Sequence, residues 1–144
     1  MIWQSKLCNM KTTVFLLIFL SGAALSAQDI DLTGTWTMFE LTYSSNEGKN
    51  TMTEDKMKAD GSVTDYFLMD EGKFKMVSNM SGTGTMDTYE GTWKLAEKKL
   101  TFSIKIGERL MDVVWDFEFK ENIMNLSRTS PDGSLTIINS FKRK

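Results

Sequence analysis

The chain contains no histidine, one cysteine and one proline. Without imidazole it lacks the commonest metal ligand and the side chain best suited to acid–base work near neutral pH. The single cysteine, Cys8, precedes the long apolar run of the N-terminus, so it is not placed as a lipid-bearing cysteine after a leader. Residues 28–144 therefore offer no thiol nucleophile and no disulfide, and a domain exported in that form is held by its core alone. No serine nucleophile motif is present, and Ser81-Gly82-Thr83-Gly84 is followed by no helix that would cradle a phosphate. No calcium-loop spacing occurs. No basic block exceeds Lys142-Arg143-Lys144, which argues against a nucleic-acid surface. The expectation is a protein that is not an enzyme, with no cofactor and no metal.

Long apolar runs are also missing. The longest, Val14–Leu20, falls short of the roughly 20 residues that span a bilayer. Lys6 and Lys11 precede it, and the small residues Ser21-Gly22-Ala23-Ala24-Leu25-Ser26-Ala27 follow. That order of basic start, apolar run and small-residue exit is a secretory signal peptide, with cleavage expected after Ala27. Met10 is the more natural start for such a leader than Met1. The expected division is a signal peptide over residues 1–27 and one domain over 28–144, secreted or periplasmic, with no membrane span once the leader is removed. The leader carries two of the 17 basic residues and none of the 19 acidic ones, which leaves the domain a net charge of −4.

What is abundant is the strand signal. The domain is organised around Leu32-Thr33-Gly34-Thr35-Trp36, where a glycine stands two residues before an indole large enough to fill the closed end of a small barrel. After it, turn signals recur at Asp60-Gly61, Glu71-Gly72, Ser81–Gly84, Glu97-Lys98, Ile106-Gly107-Glu108, Glu121-Asn122 and Asp132-Gly133. The runs between them predict eight strands, about 33–43, 62–70, 73–80, 85–95, 99–106, 109–120, 123–129 and 134–142. Pro131 falls in the last turn, where its missing N–H is harmless.

Side chains alternate most clearly in three of these runs. Leu100, Phe102, Ile104 and Ile106 share a face, as do Met111, Val113, Trp115, Phe117 and Phe119, and as do Tyr89, Trp93 and Leu95. Phe67, Met69, Phe74, Met76 and Met80 are expected to extend that face. The longest stretch without a strand signal, Ser44–Asp60, is expected to cross or cover one end of the barrel, with one or two helical turns within Met52–Lys58. A solvated connection with no role is the alternative.

The Gly34-Thr35-Trp36 entrance, its echo in Tyr89-Glu90-Gly91-Thr92-Trp93-Lys94-Leu95, the leader and the meander together resemble the lipocalin-like family of the calycin group. The likeness covers about residues 30–144, and the arrangement is similar to short secreted bacterial lipocalin-like proteins. It implies an all-β, eight-stranded antiparallel up-and-down barrel. It also implies a late basic residue packed on the first-strand tryptophan, for which Arg128 and Arg143 are both candidates. Two family features are missing: no C-terminal helix follows the last strand, and Thr64-Asp65-Tyr66 falls too early to match the late Thr-Asp-Tyr motif of long lipocalins.

An eight-stranded barrel either fills with side chains or holds one small ligand. The inner face predicted here is rich in Met, Phe and Trp, which suits an adaptable apolar pocket. The residues expected to line it are Met38, Phe67, Met69, Phe74, Met76, Phe102, Trp115 and Phe117. Glu40, on the face of Trp36 and Met38 if the first strand is regular, and Arg128, on the face of Met124 and Leu126, are expected to fix a polar end. Arg109 is a further charged candidate. The expected partner is a small, mainly apolar molecule. The other reading is an interaction module or inhibitor that uses its rim loops, above all 44–60, with a filled interior. The residues specify no oligomeric state.

Overall fold

Wherever side chains alternate cleanly, the computed structural model forms a strand, and the two-residue loops between strands set the register. The structure describes residues 30–80 and 84–144. The expected leader, and most of the Ser81–Gly84 turn, lie outside the described residues. Asp31–Lys144 forms one compact unit.

Among the described residues nine strands follow in order: β1 (Gly34–Ser45), β2 (Gly48–Met52), β3 (Thr64–Leu68), β4 (Lys73–Ser78), β5 (Asp87–Ala96), β6 (Lys99–Ile106), β7 (Arg109–Lys120), β8 (Ile123–Thr129) and β9 (Leu135–Arg143). One short helix, α1 (Glu54–Ala59), stands between β2 and β3. Strands β1 and β3–β9 pair antiparallel with their neighbours, and β9 returns to β1, closing an eight-stranded barrel. Glu121-Asn122 between β7 and β8 is one of four two-residue turns among the described residues. Both residues have positive φ (53° and 63°), the backbone that a two-residue hairpin requires.

The closed end of the barrel is built on Trp36, which is 0% exposed. Its Nε1–H donates to the Leu32 carbonyl at 2.8 Å, and Phe119 meets its ring edge-on at 6.1 Å. Outside, the Arg143 guanidinium lies 4.7 Å from the ring and donates to the carbonyls of Thr33 (3.0 Å) and Asp31 (2.7 Å). Arg143, and not Arg128, is thus the basic residue packed on the first-strand tryptophan. Gly34 is required for its backbone rather than for an approach to the indole: its φ of +132° is one that side-chain-bearing residues rarely adopt. The second Gly-Thr-Trp has a different cause. A Cβ on Gly91 would lie 1.9 Å from the Ser103 carbonyl oxygen, so β5 and β6 pair closely there only because the side chain is missing. Trp93, expected to match Trp36, is half-buried, and its Nε1–H donates to the Met69 carbonyl.

Above Trp36 an aromatic cluster fills the barrel. Tyr66 touches the rings of Phe141, Phe74 and Phe102, at 4.5, 5.4 and 5.4 Å, and Phe74 lies tilted on Phe102 at 4.3 Å. These rings, with Leu68, Leu100, Met124 and Leu126, are almost wholly buried.

The wall loosens toward the other end. β7 pairs with β8 only over Asp116–Lys120, so among the described residues Arg109–Trp115 has β6 on one edge and no strand on the other. β1 pairs with β3 only over Gly34–Thr37, and from Leu41 onward β2 takes that edge. The stretch expected to cross one end, Ser44–Asp60, is therefore largely the β1–β2 hairpin and α1. Acidic Glu54 and Asp55 open α1, where they suit the helix dipole. Met57 is buried at 4% exposure, and Glu54 is bonded by Lys142 of β9 (2.7 Å) and by Lys58 (2.6 Å).

Candidate functional site

The barrel interior is divided. Below the Tyr66 cluster it is packed, and above it lies a cavity of about 480 Å³. Seven of the barrel strands contribute inward residues to its lining, among them Thr64 and Tyr66 from β3, Met76 and Ser78 from β4, Asp87 and Tyr89 from β5, Ile104 and Ile106 from β6, Met111 and Trp115 from β7, and Ile137 and Asn139 from β9. Among the described residues β8 contributes none. The mouth is open. Tyr43, Ile106 and Met111 line it and are each 41–48% exposed.

Several side chains expected in a ligand site are brought together here. Met38, Met76 and Trp115 line the cavity. Phe74 and Phe102 lie beneath it, in the aromatic floor. Phe117 is buried opposite Leu126, in the core rather than in the lining.

Three expectations about facing are corrected. Phe67, on the outer side of β3, and Met69, exposed just after it, face away from the interior. The inward residues are Tyr66 and Leu68, and Lys75 lies over the outer face of the Phe67 ring at 5.8 Å. Tyr66-Phe67-Leu68-Met69 is apolar on both faces, so alternation carries no parity there. Glu40 also faces outward, beside Asn125 and Ser140. A bulge causes this: the register with β9 steps from Met38↔Phe141 to Glu40↔Ser140, leaving Phe39 unpaired. Beyond it Leu41 and Tyr43, rather than Glu40 and Thr42, point into the cavity. Arg128 has the parity of Met124 and Leu126, yet it stands past the last β7–β8 pair and is exposed, outside the lining. Arg109 is exposed at the tip of the β6–β7 hairpin.

The sequence reading missed the polar residues of the interior. Thr64 and Ser78 face each other across β3 and β4, and their hydroxyls bond at 2.7 Å. Asn139 is 7% exposed, between Ile137 and Phe141 on the inner face of β9. A polar residue inside an otherwise apolar alternation was the signal that could have found it. Among the described residues Asp87 is the one charged residue in the lining. Burial pushes the Tyr66 phenol well above its ordinary pKa, so it stays a neutral hydroxyl across the working pH range. Among the described residues no group of His, Cys, Asp and Glu could hold a metal ion.

An eight-stranded up-and-down barrel with its first-strand tryptophan sealed under a late arginine and a cavity above it has a counterpart in sequence. Residues 32–126 match the lipocalin-like domain. The chain belongs to that family. A lipocalin-like protein from Bacteroides uniformis shares its fold at 14% identity, with a TM-score of 0.50 over 80% of this chain and 100% of that one. An uncharacterized protein from Bacteroides eggerthii is similar, at 12% identity and a TM-score of 0.50, over 78% and 98% of the two chains. No curated protein matches by sequence. No helix among the described residues of this lipocalin-like chain is long and apolar enough to cross a membrane.

Proposed function

We propose that this lipocalin-like protein is an exported, non-enzymatic binding protein that holds one small, mainly apolar molecule in the upper half of its barrel. The observation that carries the reading is the cavity. At about 480 Å³ it lies within the roughly 300–1,000 Å³ of small-molecule sites, and Met, Ile and aromatic side chains dominate its wall. Such a wall is poorly hydrated, so an apolar ligand enters at little desolvation cost. The leader-like order of residues 1–27 supports export, and N-terminal sequencing of exported protein is expected to begin at or near Gln28.

The test is a titration of the purified domain with Nile red, an uncharged apolar dye, read by energy transfer from tryptophan. Saturable binding tighter than roughly 100 μM is expected, equivalent to about 5–6 kcal/mol. Trp115→Phe should remove most of the transfer without abolishing binding. No saturation in folded protein would reject the reading. A second reading, docking of a protein partner at the rim, draws on Ile106, Leu110, Met111 and Val114, apolar residues 46–75% exposed around the β6–β7 tip.

A further inference from the structure

The polar atoms of the cavity point to one class of ligand. Tyr66 is 5% exposed and Asn139 is 7% exposed, and both line the cavity. Neither the Tyr66 hydroxyl nor the Asn139 carboxamide has a hydrogen-bond partner among the described residues. No fully enclosed side-chain polar atom among those residues lacks a partner. The unpaired atoms of Tyr66 and Asn139 are therefore reachable, and in residues so deeply buried the surface that reaches them is the cavity. The neighbouring polar pair, Thr64 and Ser78, is already satisfied internally. Asn139 stands between Leu41 and Leu126 on the adjoining strands, so nothing beside it serves its amide. A buried carboxamide or hydroxyl left unpaired is costly, and the natural remedy is a group supplied from the cavity.

Charge narrows the class. Among the described residues no Lys or Arg lines the cavity, and the one charged residue there is the acidic Asp87, at the start of β5. A carboxylate carried down to Tyr66 and Asn139 would lose its water and meet no cation, which is strongly unfavourable. An uncharged group has no such penalty. Asn139 offers both a donor and an acceptor, and Tyr66 offers a hydroxyl that does either.

We propose that the cavity selects ligands whose buried end is an uncharged hydrogen-bonding group (a hydroxyl, carbonyl or carboxamide) seated on Tyr66 and Asn139, and that it discriminates against carboxylates. This rests on the binding-protein reading and names its ligand class. Selectivity then comes from the floor of the cavity, while the Met-rich wall tolerates varied apolar shapes.

The experiment displaces Nile red from the domain with a matched series on one twelve-carbon chain: dodecanol, dodecanamide, dodecanoate and dodecylamine, at pH 7. The alcohol and amide are expected to bind at least about tenfold more tightly than the carboxylate, a difference of about 1.4 kcal/mol. Asn139→Leu and Tyr66→Phe preserve volume and should each shrink that preference to under about threefold, with circular dichroism and the melting midpoint checking that each variant is folded. Equal affinity across the series would mean that water serves these groups, and would overturn the inference. So would a carboxylate that binds as tightly as the alcohol and loses its affinity in Arg128→Gln, or an amine preference that Asp87→Asn abolishes. Failure of Nile red itself to bind folded protein overturns the binding-protein reading, and this inference with it.

Discussion

Around Trp36 the barrel is sealed by an indole bonded to Leu32, a guanidinium outside it and four interlocked rings above it. Around Tyr43 and Met111 the same barrel carries half-exposed side chains, and β7 runs seven residues without a second neighbour among the described residues. The two ends use similar residue types, so hydrophobicity does not distinguish them. Pairing does. Where both edges of a strand are occupied, the inner faces converge and exclude water. Where an edge is free, the wall spreads and a cavity remains. Stability is thereby concentrated at one end, and the other is left able to accept a guest.

The largest effect that would sharpen this contrast is Trp36→Ala. It removes a wholly buried side chain from the sealed end and should lower unfolding free energy by about 3–5 kcal/mol in denaturant melts. A loss under about 1 kcal/mol would break the assignment of stability to that end. Next is Gly91→Ala. With the new Cβ 1.9 Å from the Ser103 carbonyl oxygen, β5 and β6 must separate, at about 1–3 kcal/mol. Amide exchange should rise at Ser103 and its neighbours while the Trp36 region stays protected. At the mouth, Leu110→Ser changes a side chain 75% exposed and should move stability by less than about 0.5 kcal/mol. A larger cost would mean that the mouth is packed rather than open.

The smallest effect concerns the α1 latch. The Lys142 ammonium, and then that of Lys58, bond the Glu54 carboxylate and hold its pKa down at about 2, below an ordinary value of 4.5. A carboxyl depressed on folding stabilises the fold above pH 4.5 and loses that contribution as pH falls toward 2. Thermal melts across this window should show a slightly shallower acid limb for Glu54→Gln, and equal slopes would remove the latch from the account.

The sealed end was the more legible of the two. Glycine, tryptophan and the alternation of Leu100, Phe102, Phe117 and Phe119 specify which side chains meet there, and the strands that carry them, 99–106 and 109–120, run on to the mouth with the expected bounds. The lipocalin-like fold followed from that part. The mouth was obscured for three physical reasons. Tyr66-Phe67-Leu68-Met69 is apolar on both faces, so its parity is set by the partners of β3 and not by its own pattern. The bulge at Phe39 depends on pairing with β9, which begins nearly a hundred residues later. Gly48–Met52 is too polar to announce a strand, and it forms one because β1 offers it an edge. Asn139 was visible as a polar letter in an apolar alternation, but its meaning needed the cavity.

The bulge at Phe39 works as a frame shift written into a strand. Before it β1 sends its even-numbered residues inward, Trp36 and Met38, and after it the odd-numbered ones, Leu41 and Tyr43. One continuous segment thus serves two separate programmes, a plug below and a lining above, with a single residue as the comma between them. Changes to the lining need not rewrite the plug. Deleting one residue between Met38 and Leu41 would leave Leu41 and Tyr43 inward on a regular strand. Straightening the bulge without shortening the strand, in contrast, would exchange the inward and outward sets of everything up to Ser45, and would place the Glu40 carboxylate and the Thr42 hydroxyl where the guest is meant to lie.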